Sequence, residues 1–138
     1  MTVTSAAAAP AVGEERTLVL VEDLTRTRIV QYAGASGDYN PLHTDEIFAR
    51  EIAGYPGVFA HGMLTMGMTA RVVTDWFGEE ALAEYGVRFS KQVWPGDTLT
   101  ATAKVESVED GLANFTVTTV NQKGEIVLTG HAKARIAA

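Results

Sequence analysis

Between His61 and Phe77 the chain reads HGMLTMGMTARVVTDWF, a stretch in which apolar residues nearly encircle a helix and charge appears only at Arg71 and Asp75. A helix of this kind has no face to give to water and has to be covered. It is too short to cross a bilayer, so the cover must be protein. Gly62, Gly67 and Ala70 would let a sheet come close, and Met63, Met66 and Met68 are expected to fill core space.

The sequence after this helix supplies such a cover. Tyr85, Val87 and Phe89 alternate with polar residues, Pro95, Gly96 and Asp97 make a turn, and Leu99, Ala101, Ala103 and Val105 alternate again. Asp110 and Gly111 turn into Leu112–Gln122; Lys123 and Gly124 turn into Glu125–Ile136, where Ile126, Leu128, Ala132, Ala134 and Ile136 are expected to share the buried face. The pattern is a meander of long antiparallel strands with one apolar helix on its face, an α+β class.

Ahead of the helix, Thr17–Val21 reads as a first strand, and Thr25 caps a short helix carrying Ile29, Val30, Tyr32 and Ala33 until Gly34 and Gly37 interrupt it. Thr44 is expected to cap a second short helix, Asp45–Ala53, which Gly54, Pro56 and Gly57 end. Residues 1–13, MTVTSAAAAPAVG, lack the large side chains that anchor a terminus and read as a flexible arm, with one domain over residues 14–138. A chain of 138 residues with 46% apolar and 20% charged residues can bury a single core and is not disordered.

The formal charge of −6 gives no overall field to attract nucleic acid or an anionic membrane, so neither is expected as a partner. The absence of cysteine excludes disulfides, thiolate nucleophiles and Cys-based metal sites. With no basic segment followed by an apolar one at the start and no membrane-length apolar run, a soluble cytoplasmic protein is expected.

Several chemistries find no footing. No GxGxxG, GxSxG or HExxH occurs, and Gly62 with Gly67 has phosphate-loop spacing but Met68 where lysine is needed. What remains is the loop GDYNPLHTD, Gly37–Asp45, in which Asp38 and His43 lie on either side of Asn40 and Pro41. A continuous helix would point those two side chains in different directions, whereas a broken loop lets them converge on one water for acid–base chemistry. Asp and Asn in turns also bond their own backbone, and this bland role competes with the chemical one. The second feature is His61-Gly62 opening the apolar helix: free N–H groups at a helix N-terminus can hold an oxyanion, and glycine lets a carbonyl approach. His61 itself reads as a capping or satisfied buried histidine rather than a catalyst. Asp38, His43 and His61 have metal-ligand chemistry but none of the tight spacings of metal motifs, so no metal is expected. His131 shares a strand face with Lys133 and Arg135 and reads as solvated sheet surface.

The segment Tyr32–Ala49, YAGASGDYNPLHTDEIFA, resembles the hydratase-2 motif of the MaoC-like dehydratases, G-D-x-N-P-aliphatic-H. FAHGMLTMG, VTDWF, YGVRF and PGDTL further along also resemble that family, especially the catalytic β-type subunit of mycobacterial 3-hydroxyacyl-ACP dehydratases. The resemblance implies a hotdog fold, an antiparallel sheet wrapped around a long central helix. It implies (R)-specific, reversible syn addition of water to a trans-2-enoyl thioester of coenzyme A or acyl carrier protein, without metal or cofactor. On the matching positions Asp38 and His43 would activate the water, Asn40 would fix the loop, and the Gly62 N–H would bind the thioester oxygen. A chain with length for one hotdog implies a dimer, with a homodimer expected and pairing with another hotdog subunit, in a fatty-acid-synthesis dehydratase, as the alternative. A hotdog thioesterase is disfavoured because Asp75 is the only carboxylate on the central helix, and a non-catalytic acyl-binding subunit is disfavoured by the intact Asp38 and His43.

Overall fold

Alternation along the C-terminal half becomes four strands of one sheet. A computed structural model of the chain describes residues 8–137. Its strands are β1 (Glu15–Val21), β2 (Leu82–Phe89), β3 (Leu99–Glu109), β4 (Leu112–Val120) and β5 (Ile126–Arg135), all paired antiparallel in the order β1-β3-β4-β5-β2. Helix α1 (Arg26–Ser36) follows β1, and the long helix α2 (Gly62–Phe77) packs on the inner face of the sheet. This is the hotdog arrangement.

The period of two in β3 fixes which side chains face α2: Leu99, Ala101, Ala103 and Val105 are fully buried while Lys104 and Glu106 are exposed. From α2 the buried residues are Thr65, Met68, Thr69, Val72, Val73 and Phe77, one stripe at helical spacing. Phe77 and Phe115 meet at 5.3 Å and Trp76 closes the cluster at 4.8 Å from Phe77, with the Arg16 guanidinium 4.6 Å above the Trp76 ring. Small alanines on β3, β4 and β5 leave room for these rings. Within the stripe, Thr69 and Thr119 pair their hydroxyls at 2.7 Å, and the Tyr85 hydroxyl donates to the Met66 carbonyl at 2.7 Å. Burial pushes the Tyr85 phenol up to about 12.

Strands β2 and β5 come unusually close where Val87 faces Gly130. A Cβ at Gly130 would lie 2.9 Å from the Val87 Cα and well inside van der Waals contact distance of the Gly86 carbonyl oxygen. Only glycine allows that approach.

Several expectations need correction. This chain covers one face of α2 only: Met63, expected in the core, is 58% exposed, and nothing packs over Gly67, so the sheet does not approach there. Ile126 is exposed, because a register shift between Thr119 and Val120 pairs Val120 with Ile126 and puts Val127 and Leu128 inside. Asp45, not Thr44, caps the turn after the loop, its Oδ1 accepting from the N–H groups of Ile47 and Phe48 at 3.0 and 3.1 Å; the turn itself, Phe48–Ile52, is π-helical. Residues 1–7 of the expected arm lie outside the described residues. Gly13, at its end, donates to the Val105 carbonyl at 2.8 Å and so aligns the entry into β1.

Candidate active site

Helix α1 ends where Gly37 adopts a left-handed conformation (φ 77°), which turns the chain toward the N-terminus of α2. Asp38 follows, exposed, with its N–H donating to Ser36 Oγ at 3.2 Å. Its Oδ1 accepts from the Asn40 N–H at 3.2 Å, an Asx turn that holds the carboxylate in place. Asn40 repeats the device, its Oδ1 accepting from the Leu42 N–H at 3.0 Å and its carbonyl from the His43 N–H at 3.0 Å. Pro41 fits the first position of the short 3₁₀ turn that results, Pro41–His43. The local backbone bonds and the aiming of side chains are therefore one structure.

His43 is held from behind. Its Nδ1–H donates to the Phe59 carbonyl at 2.7 Å, and the Phe59 ring stands edge-on to it at 5.3 Å. A carbonyl can only accept, so the bond assigns the hydrogen to Nδ1 and leaves Nε2 of the neutral ring as a lone pair. His61, 2% exposed, stacks on His43 at 3.8 Å with planes 25° apart and donates Nε2–H to the Asp38 carbonyl at 3.0 Å. It occupies the N-cap position of α2, yet its side chain makes no capping bond; it ties the loop to the helix instead, and its Nδ1 has no partner among the described residues.

Asp38, His43 and His61 each bring one donor atom within 4.8 Å of the others. The nearly parallel histidine planes argue against a shared ion, because lone pairs lie in the ring planes and here run side by side rather than toward one point.

Gly62 is the first residue of α2, so its N–H has no acceptor within the helix. The Phe89 ring, at the end of β2, lies where a Gly62 Cβ would stand 3.1–3.3 Å from three of its carbons. Beside them opens a cavity of about 330 Å³, bordered by Gly62 and walled by the apolar Phe59, Phe89, Val93 and Val127 and the polar Thr65, Ser90, Lys91 and Gln92. Lys91 is engaged in an ion pair with Glu125. Phe59 joins the two parts of the site: its ring meets His43 on one side and lines the cavity on the other. Glu46, paired with Arg26 at 2.7 Å and with Arg50 at 3.5 Å, fastens α1 to the turn behind the loop; the Arg26 bond holds its carboxyl below the usual range.

Of the four residues singled out from sequence, Asp38 and His43 thus come together with His61 at the start of α2, where Gly62 lies, while the bonds of Asn40 stay within the loop. Asp75 lies apart from them, 57% exposed and 3.9 Å from Arg71. His131 sits on the outer face beside Glu84, as expected of a solvated sheet. Thr65, Phe59 and Phe89 were not anticipated. Thr65 had a signal, since it lies one helical turn after Gly62; Phe89 had none, because its contact with Gly62 depends on tertiary pairing.

The family described as MaoC like domain matches residues 7–126. The chain belongs to that family. This MaoC-like chain is 35% identical over 104 residues to 3-hydroxyacyl-thioester dehydratase Y of Mycobacterium tuberculosis, covering 73% of the chain and 33% of the relative. It spans between 12% and 39% of the length of four such curated relatives. Among solved structures it superposes on an (R)-hydratase of A. caviae involved in PHA biosynthesis with TM-score 0.83 and 25% identity, covering 94% of this chain and 98% of that one. A chain of the ChsH1-ChsH2 complex of Mycobacterium tuberculosis gives TM-score 0.77 and 26% identity over 94% of this MaoC-like chain and 100% of that one. Among the described residues no helix is long and apolar enough to cross a membrane.

Proposed function

We propose that this chain is an (R)-specific enoyl-thioester hydratase, equivalently a 3-hydroxyacyl-thioester dehydratase, a hydro-lyase acting on acyl thioesters of coenzyme A or acyl carrier protein. The observation that carries the reading is the convergence of the Asp38 carboxylate and the His43 ring with His61 at the start of α2, where the free N–H of Gly62 lies at a cavity of mixed apolar and polar lining. The similarity to hydratases and dehydratases supports the same chemistry.

In this reading Asp38 and His43 hold one water on one face of the enoyl group. One of the pair takes a proton from the water as its oxygen bonds to C3, and that same proton, held between the Asp38 carboxylate and the His43 Nε2, is delivered to C2 from the same side, which gives syn addition and returns both groups to their starting state. Electron density moves from the double bond toward the thioester oxygen, and the Gly62 N–H, fixed before the reaction starts, receives that charge. Asn40 keeps both groups in register. Every atom is supplied by substrate, water and these side chains, so the step needs no metal or cofactor.

The active unit is a dimer in this reading. Met63 and Phe89 are exposed apolar residues at the uncovered side of α2, and β2 is the edge strand beside them. A second copy of the chain covers that face; a related hotdog subunit is the alternative, as one structural neighbour is a two-component complex. A thioesterase is not favoured, since Asp75, the one carboxylate on α2, is 57% exposed, faces Arg71 and lies apart from the cavity.

The test follows the ultraviolet absorbance of crotonyl-CoA and of a longer trans-2-enoyl-CoA. Loss of absorbance with the wild-type chain, abolished in Asp38→Asn, is expected. Release of free thiol without hydration would overturn the reading.

A further inference from the structure

Thr65 and Thr69 lie on the same buried stripe of α2, one turn apart, and differ in one respect. The Thr69 hydroxyl is closed by Thr119 at 2.7 Å, whereas Thr65 Oγ1 is buried with no hydrogen-bond partner among the described residues. Thr65 is 2% exposed and forms part of the wall of the cavity that begins at Gly62. Buried hydroxyls are nearly always satisfied, because removing one from water without a substitute bond destabilises the fold. A helical threonine has a ready remedy in the carbonyl one turn back, yet Oγ1 does not take it.

Direction completes the argument. Side chains on a helix tilt toward its N-terminus, so a residue covers the surface over the preceding turn. The residue three positions before Thr65 is Gly62, which has no side chain of its own to fill that surface. Gly62 and Thr65 therefore wall the same cavity at the same end of the helix, one with a free N–H and the other with an unpaired hydroxyl. A carbonyl oxygen has two lone pairs and accepts two such donors.

We infer that the Thr65 hydroxyl is a second hydrogen-bond donor to the thioester oxygen, acting beside the Gly62 N–H. This deepens the hydratase reading and rests on it. The bond strengthens as charge builds on that oxygen, so its effect falls on the chemical step more than on binding. The hydroxyl keeps its proton throughout; it donates a hydrogen bond and transfers nothing.

The experiment compares the wild type with Thr65→Val, which keeps the shape and removes the donor, and Thr65→Ser, which restores it. With crotonyl-CoA, kcat of Thr65→Val is expected to fall about tenfold to a hundredfold with KM within a few-fold, and Thr65→Ser to stay within about threefold of wild type. Thr65→Val is expected to melt no lower than wild type, since a methyl replaces an unpaired hydroxyl. A second arm measures calorimetric binding of butyryl-CoA and of its S-butyl thioether, which lacks the carbonyl. Wild type is expected to prefer the thioester, and Thr65→Val to lose part of that preference. Full kcat in Thr65→Val, in a wild type that hydrates crotonyl-CoA, overturns the inference and leaves the hydratase reading standing. So does a valine variant that is slow only because it melts lower and that serine does not rescue. If wild type does not hydrate, the binding arm decides: an unchanged preference in Thr65→Val sinks the inference. Binding of neither compound sinks both readings.

Discussion

Asn40 distinguishes two kinds of importance in a site like this one. Its side-chain oxygen caps the Pro41–His43 turn through the Leu42 N–H at 3.0 Å, and its own N–H closes the Asp38 turn at 3.2 Å. Asn40→Ala removes the first bond and keeps the second, which is main chain. Loss of a side-chain cap costs about 0.5–2 kcal/mol, and each 1.4 kcal/mol is about a factor of ten in the population of the aligned loop. The ceiling on the loss is therefore roughly thirtyfold, reached only if the loop is marginally stable. A group that moves protons would cost about 10²–10⁴. Asn40→Ala is expected to reduce kcat/KM on crotonyl-CoA by about two- to thirtyfold. Asn40→Ser, which caps equally well without adding charge, is expected to recover most of it. The melting temperature should fall by no more than the lost cap accounts for, roughly a few degrees per kcal/mol, because Asn40 is exposed and lies outside the core. A loss beyond about 10³ that serine does not repair would refute the reasoning and assign Asn40 to the chemistry itself.

Asp38→Asn and His43→Gln are each expected to lower kcat by about 10²–10⁴ while leaving the far-ultraviolet dichroism and melting temperature unchanged, as both residues lie outside the core. Gly62→Ala places a methyl 3.1–3.3 Å from the Phe89 ring, which is 48% exposed and can yield; the chain should fold normally yet lose at least about tenfold in hydration rate, read in the same absorbance assay. Tyr85 is pushed up to about 12 by burial, so the folded state holds its proton more tightly than the unfolded one. Stability from that phenol is intact below pH 10 and lost as pH rises toward 12, so Tyr85→Phe should flatten the alkaline fall in urea stability over that window. Glu46 behaves in the opposite sense: its carboxyl is held below 4.5, chiefly by Arg26, so its contribution is present at neutral pH and lost as pH falls through the lowered value. Glu46→Gln is expected to reduce the acid slope of stability, by an amount within the about 1 kcal/mol of exposed ion pairs.

Features encoded by local chemistry were legible in the sequence. The Gly37–His43 loop was, because turn residues place their own side chains through short-range bonds. So was the strand period of β3, whose alternation survives unchanged into burial. The expectations that missed depended on contacts between distant segments. Met63 belongs by composition to an apolar helix, but nothing in its neighbours tells that this chain's sheet covers only one side. Ile126 has the parity of Leu128 on paper, and a single register shift opposite Val120 reverses it. Thr44 and Asp45 are both acceptable caps, and the choice was made by which oxygen could reach Ile47 and Phe48. His61 reads from sequence as a capping or satisfied buried histidine; the structure buries it, but it makes no capping bond, and its Nε2–H goes instead to the Asp38 carbonyl, far away in sequence.

The absent side chain at Gly130 sets a dimension of the site from a distance. Val87 faces Gly130 and, two residues on, Phe89 faces Leu128, so the spacing of β2 from β5 carries the Phe89 ring toward or away from Gly62. Any substituent at 130 would act as a spacer between the strands and widen the mouth of the cleft without touching a substrate. The same spacer would loosen an edge strand held by one neighbour within the chain. Selection for a roomier acyl site and selection for a firm sheet edge therefore pull on this one position in opposite directions.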